Sequence, residues 1–244
     1  MTELHDLADL TTESVIQLYH TYLDSLRGTR EEQRELRQRG MLAQLDDIEA
    51  ELLYLQLRQR RPERVVEIGA LHGWSTTWIL RALRDNGAGQ LLTIDLRDTA
   101  TVTVPRELRH RWSFRQGDVR TMGGDWVPRT DHLLIDAKHS RRFARWYLAE
   151  VLPDLADGTR VSVHDVYRFR RPLPRSEGAE LLAWLRRRRL RHFTASRAAA
   201  PGVRERIAQF RHKRGLVDPV HSGTRDPMVF FRTGGMPATA DLAR

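Results

Sequence analysis

The sequence predicts an α/β protein with a Rossmann-like, doubly wound and mostly parallel sheet behind an N-terminal helical extension. A mainly apolar run at residues 65–68 is followed by a turn from Gly69 to Gly73 and then by an amphipathic segment. This is the order of a strand, a glycine turn and a helix. A second apolar run ends in Asp95, 26 residues after Gly69. Further short apolar runs alternate with helical periodicity as far as residue 165, as in successive βαβ units.

Residues 11 to about 60 have the periodicity of helices that precede the sheet. Acidic residues lie early and arginines late in the second half of this segment, which suits the helix dipole. We therefore predict at least two helices, the last ending near Arg61, just before Pro62. The predicted units are an N-terminal helical cap or dimerisation segment at residues 1–60, the α/β domain at residues 61–233 and a flexible tail at residues 234–244.

Within the domain, strands are expected to begin near Val65, Leu91, Trp112, His132 and Val161. Ser75 is a candidate cap for the first helix, which closes at the glycines of residues 87–89. Later helical segments are expected near Glu107, from Arg141, and from residue 176 to Arg191. The basic, proline-containing loop at residues 168–175 is a candidate lid or substrate rim.

The composition limits the classes of function. The chain has 244 residues and a net charge of +9, and Lys138 and Lys213 are the only lysines among its 41 basic residues. That arginine bias is more typical of a GC-rich coding sequence than of a phosphate-binding protein, and the run at residues 186–191 is typical of a basic helix end.

The sequence contains no cysteine, which excludes disulfides and thiolate chemistry. No apolar run approaches a membrane span and the N-terminus has no leader pattern, so a cytoplasmic protein is expected.

The glycine turn indicates a nucleoside site. Gly69 and Gly73 allow a ligand to approach bare backbone at a helix N-terminus. Leu71 replaces the middle glycine that a pyrophosphate needs, so a nucleoside without a diphosphate fits better. Asp95, at the end of the next strand, is placed to accept both ribose hydroxyl protons. A purely structural strand-to-helix turn is the alternative interpretation of the glycines.

Five motifs in order resemble class I S-adenosylmethionine (SAM)-dependent methyltransferases, over about residues 61–232. Within this class the chain is most similar to the small-molecule O-methyltransferase branch that includes macrolide sugar O-methyltransferases and cephalosporin-biosynthesis proteins. That branch carries an Asp-x-x-His-Ser element and a later His-Asp or Glu-Asp pair. The motifs are residues 65–76, 91–95, 115–118, 133–140 and 161–165, and residues 229–232 resemble the terminal strand.

The resemblance implies SAM as the cofactor. Glu67 and Gly69 would line its methionine part, Asp95 would hold the ribose, and Asp118 would meet the adenine amino group. Trp74, beside the turn, is the one tryptophan expected to contact the cofactor, whereas Trp78, Trp146 and Trp184 are expected in the core. The expected cofactor-binding residues are Glu67, Gly69, Ala70, Gly73, Trp74, Ser75, Asp95, Asp118 and Asp136.

Asp136, His139, His164 and Asp165 directly follow two apolar runs, so they are expected to converge at the carboxyl edge of the sheet. By the resemblance, His139 is the general base that takes a hydroxyl proton. Asp136, His164 and Asp165 would hold a divalent metal, magnesium or manganese. His164 stands where characterised metal-dependent relatives have an acid, which favours manganese, iron or no metal over magnesium. Alternatively, the two acids cap strand ends and the histidines are ordinary polar neighbours.

The predicted function is SAM-dependent O-methylation of a small specialised metabolite by a homo-oligomer that binds neither membranes nor nucleic acid. One alternative is methylation of a peptide or carboxylate acceptor held by the arginines. Another is a non-catalytic nucleic-acid- or peptide-binding protein on a methyltransferase scaffold. A nicotinamide-dependent oxidoreductase is disfavoured, because the Gly-x-Gly-x-x-Gly turn and the usual Tyr-Lys pair are both missing.

Overall fold

A computed structural model describes residues 10–221 and 223–234. It has the predicted α/β architecture, with a seven-stranded sheet in the order β3-β2-β1-β4-β5-β7-β6. Strands β1 to β5 are parallel, and β7 runs antiparallel to both β5 and β6. The strands are β1 (Arg64–Ile68), β2 (Gln90–Asp95), β3 (Trp112–Gln116), β4 (His132–Ile135), β5 (Arg160–Val163), β6 (His192–Phe193) and β7 (Val229–Arg232).

Eight α-helices accompany the sheet in the described part of the chain. Three of them precede it, which confirms the prediction of at least two. None of the described helices is both long and apolar enough to cross a membrane. The helices are α1 (Thr12–Thr21), α2 (Leu23–Gln38), α3 (Asp47–Arg60), α4 (Trp74–Asn86), α5 (Thr99–Thr103), α6 (Arg141–Glu150), α7 (Glu177–Arg187) and α8 (Pro201–Lys213), and a 3-10 helix spans Arg106–Arg111.

Helix α3 joins the N-terminal helices to the rest of the core. Nearly its whole circumference is buried, because it packs against α4 on one side and the outer helices on the other. Its Glu51 carboxylate accepts a hydrogen bond from Tyr19 Oη at 2.7 Å and pairs with Arg30 and Arg211. Segments from both ends of the chain are therefore tied to one buried acid.

Some local predictions were wrong. Helix α4 begins at Trp74 with Gly73 as its N-cap, so Ser75 lies inside the helix instead of capping it. Helix α7 ends at Arg187, because the left-handed backbone of Arg189, with φ of 55°, breaks the helix before Arg191. Strand β6 and helix α8 were not predicted, since one is only two residues long and the other buries mainly Ile207. The predicted tail, beyond residue 234, lies outside the described residues.

Candidate active site

Backbone hydrogen bonds continue one residue past the ends of the parallel strands, and this brings the sequence motifs into one row. The residue that follows each of these strands donates its amide to a carbonyl in the last two residues of a neighbouring strand. Side chains immediately after β1, β3, β4 and β5 therefore share the carboxyl edge of the sheet. The bonds are Gly69 N–H to Ile94 O (2.9 Å), Gly117 N–H to Asp95 O (2.8 Å), Asp136 N–H to Ile68 O (2.9 Å) and His164 N–H to Ile135 O (3.0 Å).

A cavity of about 600 Å³ lies along this edge, at the point where the strand order reverses between β1 and β4. Five of the nine predicted cofactor-binding residues line it: Gly69, Ala70, Asp95, Asp118 and Asp136. Its size falls in the range of small-molecule sites. The predicted base His139 is also in the wall, together with Gln44, from the loop between α2 and α3.

The glycine turn is shaped by the neighbouring strand as well as by any ligand. Gly69 has φ of 89°, and a Cβ there would lie 2.0 Å from the carbonyl oxygen of Asp136. The carboxylate of Asp95 fixes the turn from the other side, since its Oδ2 accepts the amides of Ala70 at 2.7 Å and Leu71 at 2.9 Å. The turn is thus held rigidly at the floor of the cavity.

Four predicted cofactor-binding residues are not in the cavity wall: Glu67, Gly73, Trp74 and Ser75. Glu67 is fully buried behind the turn, where its carboxylate accepts hydrogen bonds from Ser75, Thr76 and Thr93. Burial raises the pKa of Glu67 to about 7, against the lowering effect of these hydroxyls. Trp74 is fully buried in the apolar core. These side chains support the turn from below.

Asp118 is on the cavity wall and keeps its charge through a neighbouring arginine. Arg120 donates its Nε at 3.0 Å and its backbone amide at 3.0 Å to the Asp118 carboxylate. This ion pair lowers the pKa of Asp118. The carboxylate is therefore available as an acceptor at the end of the cavity beyond Asp95.

His139 is held by carboxylates on both ring nitrogens. Its Nδ1 lies 3.0 Å from Glu177 Oε2, at the start of α7, and its Nε2 lies 3.3 Å from Asp165 Oδ2 and 3.6 Å from Asp136 Oδ1. Burial lowers the pKa of His139, but the carboxylates, Glu177 foremost, raise it more, and the net shift is upward. Glu177 was not predicted as a site residue, because it is 38 residues from His139 in the sequence and is the first residue of a helix, where acidic residues are common.

His164 lies between two acids. Its Nδ1 is 2.9 Å from Asp136 Oδ1 and its Nε2 is 3.1 Å from Glu49 Oε1 on α3. Although burial disfavours the charged ring, Asp136 and Glu49 raise the pKa of His164 well above its usual value. Glu49 is almost completely buried, so an N-terminal helix contributes directly to the catalytic edge.

The possible metal ligands differ in one residue from the predicted set. Asp136, His139 and His164 each offer a ligand atom within 4.8 Å of the others. Asp165, the third predicted ligand, instead pairs with Arg168 and has a left-handed backbone with φ of 58°. One carboxylate and two imidazoles suit manganese or iron better than magnesium.

A second cavity of about 400 Å³ lies on the far side of this cluster. Gln44 lines both cavities, and His164 and Asp165 form the wall of the second one. The loop at residues 168–175, expected as a substrate rim, contributes Arg168. The remaining wall comes from the start of α3 and from the segment that leads into β7.

Comparison with known proteins agrees with the fold. Residues 66–166 match a family model described as a methyltransferase domain. The O-methyltransferase from Bacillus cereus in complex with SAH is 16% identical, with a TM-score of 0.56 over 92% of this chain and 100% of that one. A SAM-dependent O-methyltransferase from Thermotoga maritima is 14% identical, with a TM-score of 0.53 over 80% of this chain and 68% of that one.

The O-methyltransferase TomG from Streptomyces achromogenes, involved in tomaymycin synthesis and solved with SAM, is 17% identical. Its TM-score is 0.50, over 86% of this chain and 90% of that one. No curated protein matches the chain. At these identities the likenesses show the fold, and the predicted Rossmann-like, doubly wound α/β fold is confirmed.

Proposed function

We propose that this chain, whose residues 66–166 match a family model described as a methyltransferase domain, transfers the methyl group of SAM to a hydroxyl of a small specialised metabolite. The observation that carries the proposal is a single cavity that runs from Asp95 and Asp118, suited to a nucleoside, to the acid and histidine cluster at His139. The role of one structural neighbour in tomaymycin synthesis favours a natural product as the acceptor.

The cofactor fits the cavity by charge and by shape. The turn at Gly69 and Ala70 gives it bare backbone, Asp95 accepts the ribose hydroxyls and Asp118 accepts the adenine amino group. Asp136 lies at the opposite end from Asp118, where its carboxylate favours the positive sulfonium and ammonium groups. Glu67 acts indirectly by holding the turn.

His139 is the proposed general base. Glu177 accepts its Nδ1–H, so Nε2, the nitrogen on the side of Asp136 and Asp165, is the one that takes the hydroxyl proton. During transfer the acceptor oxygen forms a bond to the methyl carbon as the carbon–sulfur bond breaks, and the hydroxyl proton passes to Nε2. The positive sulfonium disfavours the imidazolium form of His139, so cofactor binding favours the neutral ring that the reaction needs.

A divalent metal fits the donors at this edge. Asp136 and His164 would hold it while His139 keeps its Nε2 for the hydroxyl proton, and such an ion would orient the acceptor hydroxyl and lower its pKa. Glu49 binds the far nitrogen of His164, as acids behind ligating histidines do. The imidazole of His164 favours manganese or iron over magnesium.

The test is calorimetric titration of SAH into chelator-treated protein, repeated with magnesium and with manganese. We expect micromolar SAH binding, and a separate heat with manganese that is weaker with magnesium. His139→Ala should abolish turnover while SAH affinity stays within about twofold. His110→Ala, on an exposed histidine of the 3-10 helix, is the matched control. No SAH binding under any condition would reject the proposal.

A further inference from the structure

We infer that the acceptor carries an acidic group, a carboxylate or a phosphate, near the hydroxyl that is methylated, and that Arg225 binds this group in the second cavity. That the bound molecule is the methyl acceptor rests on the proposed function, whereas the anion site itself does not depend on it. Three features of the second cavity support it: its position, the character of its wall, and the charges that remain unpaired there.

The position of the second cavity suits an acceptor. Its wall includes His164 and Asp165, and Gln44 contributes to both this wall and that of the cofactor cavity. Asp165 Oδ2 is only 3.3 Å from Nε2 of His139. A molecule that occupies the second cavity therefore lies next to Asp165, which itself contacts the base, while the molecule stays outside the cofactor cavity.

The wall of the second cavity is polar. Among the ten described residues that line it, none has an aromatic ring except the imidazole of His164, and Pro227 is the one proline. A flat apolar acceptor would find no stacking partner there. Recognition has to come from hydrogen bonds and charge. The other lining residues are Gln44, Asp46, Glu49, Asp165, Arg168, Gly223, Thr224 and Arg225.

The carboxylate of Asp46 is already satisfied within the protein. Its Oδ2 accepts the backbone amides of Arg225 at 2.6 Å and Asp226 at 2.9 Å. Its Oδ1 lies 3.1 Å from the ring Nδ1 of His221. The same contacts hold the backbone of Arg225 against α3, and so fix where its side chain leaves the chain.

The other two acids in the wall are satisfied as well. Glu49 Oε1 lies 3.1 Å from Nε2 of His164, and its Oε2 accepts a hydrogen bond from the backbone amide of Met228 at 3.0 Å. Asp165 is paired with Arg168 and with His139. These carboxylates therefore have little capacity left for a cationic ligand.

Two arginine side chains in the wall still have unused hydrogen-bond donors. Within residues 10–221 and 223–234, no hydrogen bond or ion pair engages the guanidinium of Arg225, although its backbone is fixed and its side chain is exposed at the cavity. Arg168 meets Asp165 through one terminal nitrogen, Nη2, which leaves the rest of its fork for a ligand. Guanidinium groups bind carboxylate and phosphate in paired hydrogen bonds. Both arginines thus favour an anionic substituent.

The experiment uses simple probes on the full chain saturated with SAH. L-tartrate carries a vicinal diol with two carboxylates, threitol carries the same diol without them, and inorganic phosphate tests the other anion. We expect calorimetry to show binding of tartrate or phosphate but not of threitol, and the stronger anion identifies the acidic group. Arg225→Ala should weaken that anion at least tenfold, and Arg225→Lys should weaken it less.

Arg187→Ala, which removes the same charge from an exposed position on α7, is the control and should leave anion affinity unchanged. Equal anion affinity in Arg225→Ala and the unchanged protein would overturn the inference, as would threitol binding as well as tartrate. SAH affinity, measured first, tests the proposed function separately. Repeating the tartrate and phosphate titrations without SAH keeps the anion site testable even if SAH fails to bind.

Discussion

Replacement of Glu177 by Gln tests whether this buried carboxylate orients His139 and stabilises its protonated form. The substitution keeps the size of the side chain and an oxygen that can accept Nδ1–H of His139, now 3.0 Å away, but it removes the charge that stabilises the imidazolium formed in the reaction. Hydrogen bonds between charged groups contribute about 1.5–3 kcal/mol. Since about 1.4 kcal/mol is a tenfold change in rate, kcat should fall about ten- to hundredfold.

The assay is steady-state methyl transfer to an identified acceptor, combined with SAH titration. We expect kcat to fall while KM for SAM and SAH affinity change less than twofold, and Glu177→Asp to restore part of the rate. Glu180→Gln is the control, because Glu180 lies on the same helix but pairs with the exposed Arg141. An unchanged kcat, or an equal loss of kcat and SAH affinity, would refute the positioning role of Glu177.

Three further predictions concern the turn, the core and the cluster. Gly69→Ala should destabilise the protein by about 2 kcal/mol or more in urea unfolding, because the new Cβ meets the Asp136 carbonyl and φ is positive. His132 is buried, and burial followed by Arg160 lowers its pKa to about 3, so the unfolded chain is protonated first. Stability should be full above about pH 6.5 and fall towards pH 3, by about 2 kcal/mol at pH 5, and His132→Gln should flatten that acid limb in pH-dependent thermal melts. His164→Ala should abolish the manganese heat in calorimetry without loss of SAH binding, and retained manganese binding would contradict the proposed ligand set.

The sheet and the row of motifs were predictable because their signals are local. Strands β4 and β5 are short, largely apolar runs followed at once by a functional residue, at residues 132–136 and 160–165. Strand ends in such a sheet must meet at one edge. The convergence of Asp136, His139 and His164 therefore followed from position in the sequence alone.

The outer partners of the cluster were not predictable in this way. Glu49 is 115 residues from His164 in the sequence, and Glu177 is 38 residues from His139. Each acid lies in the first turn of a helix, where acids are common for reasons of the helix dipole. Only the packing of α3 and α7 against the sheet gives these two carboxylates a partner.

The side of the turn that each residue faces was also beyond the sequence. Trp74 and Ser75 follow the glycines directly, which suggested cofactor contact. The N-cap of α4 is Gly73, with an αL backbone, two residues before the expected cap Ser75, and both side chains are buried. The backbone dihedral angles at Gly73 therefore determine that these two side chains lie in the core and not in the cavity wall.

The burial of α3 has a consequence for how the catalytic edge can be divided. Cutting the chain at the predicted domain boundary, residue 61, would remove Glu49 from His164 and Gln44 from both cavities. It would also leave Arg211 on α8 without its buried partner Glu51. The N-terminal helices and the sheet thus form one structural unit, and replacing those helices would alter the base, the pocket and the stability together.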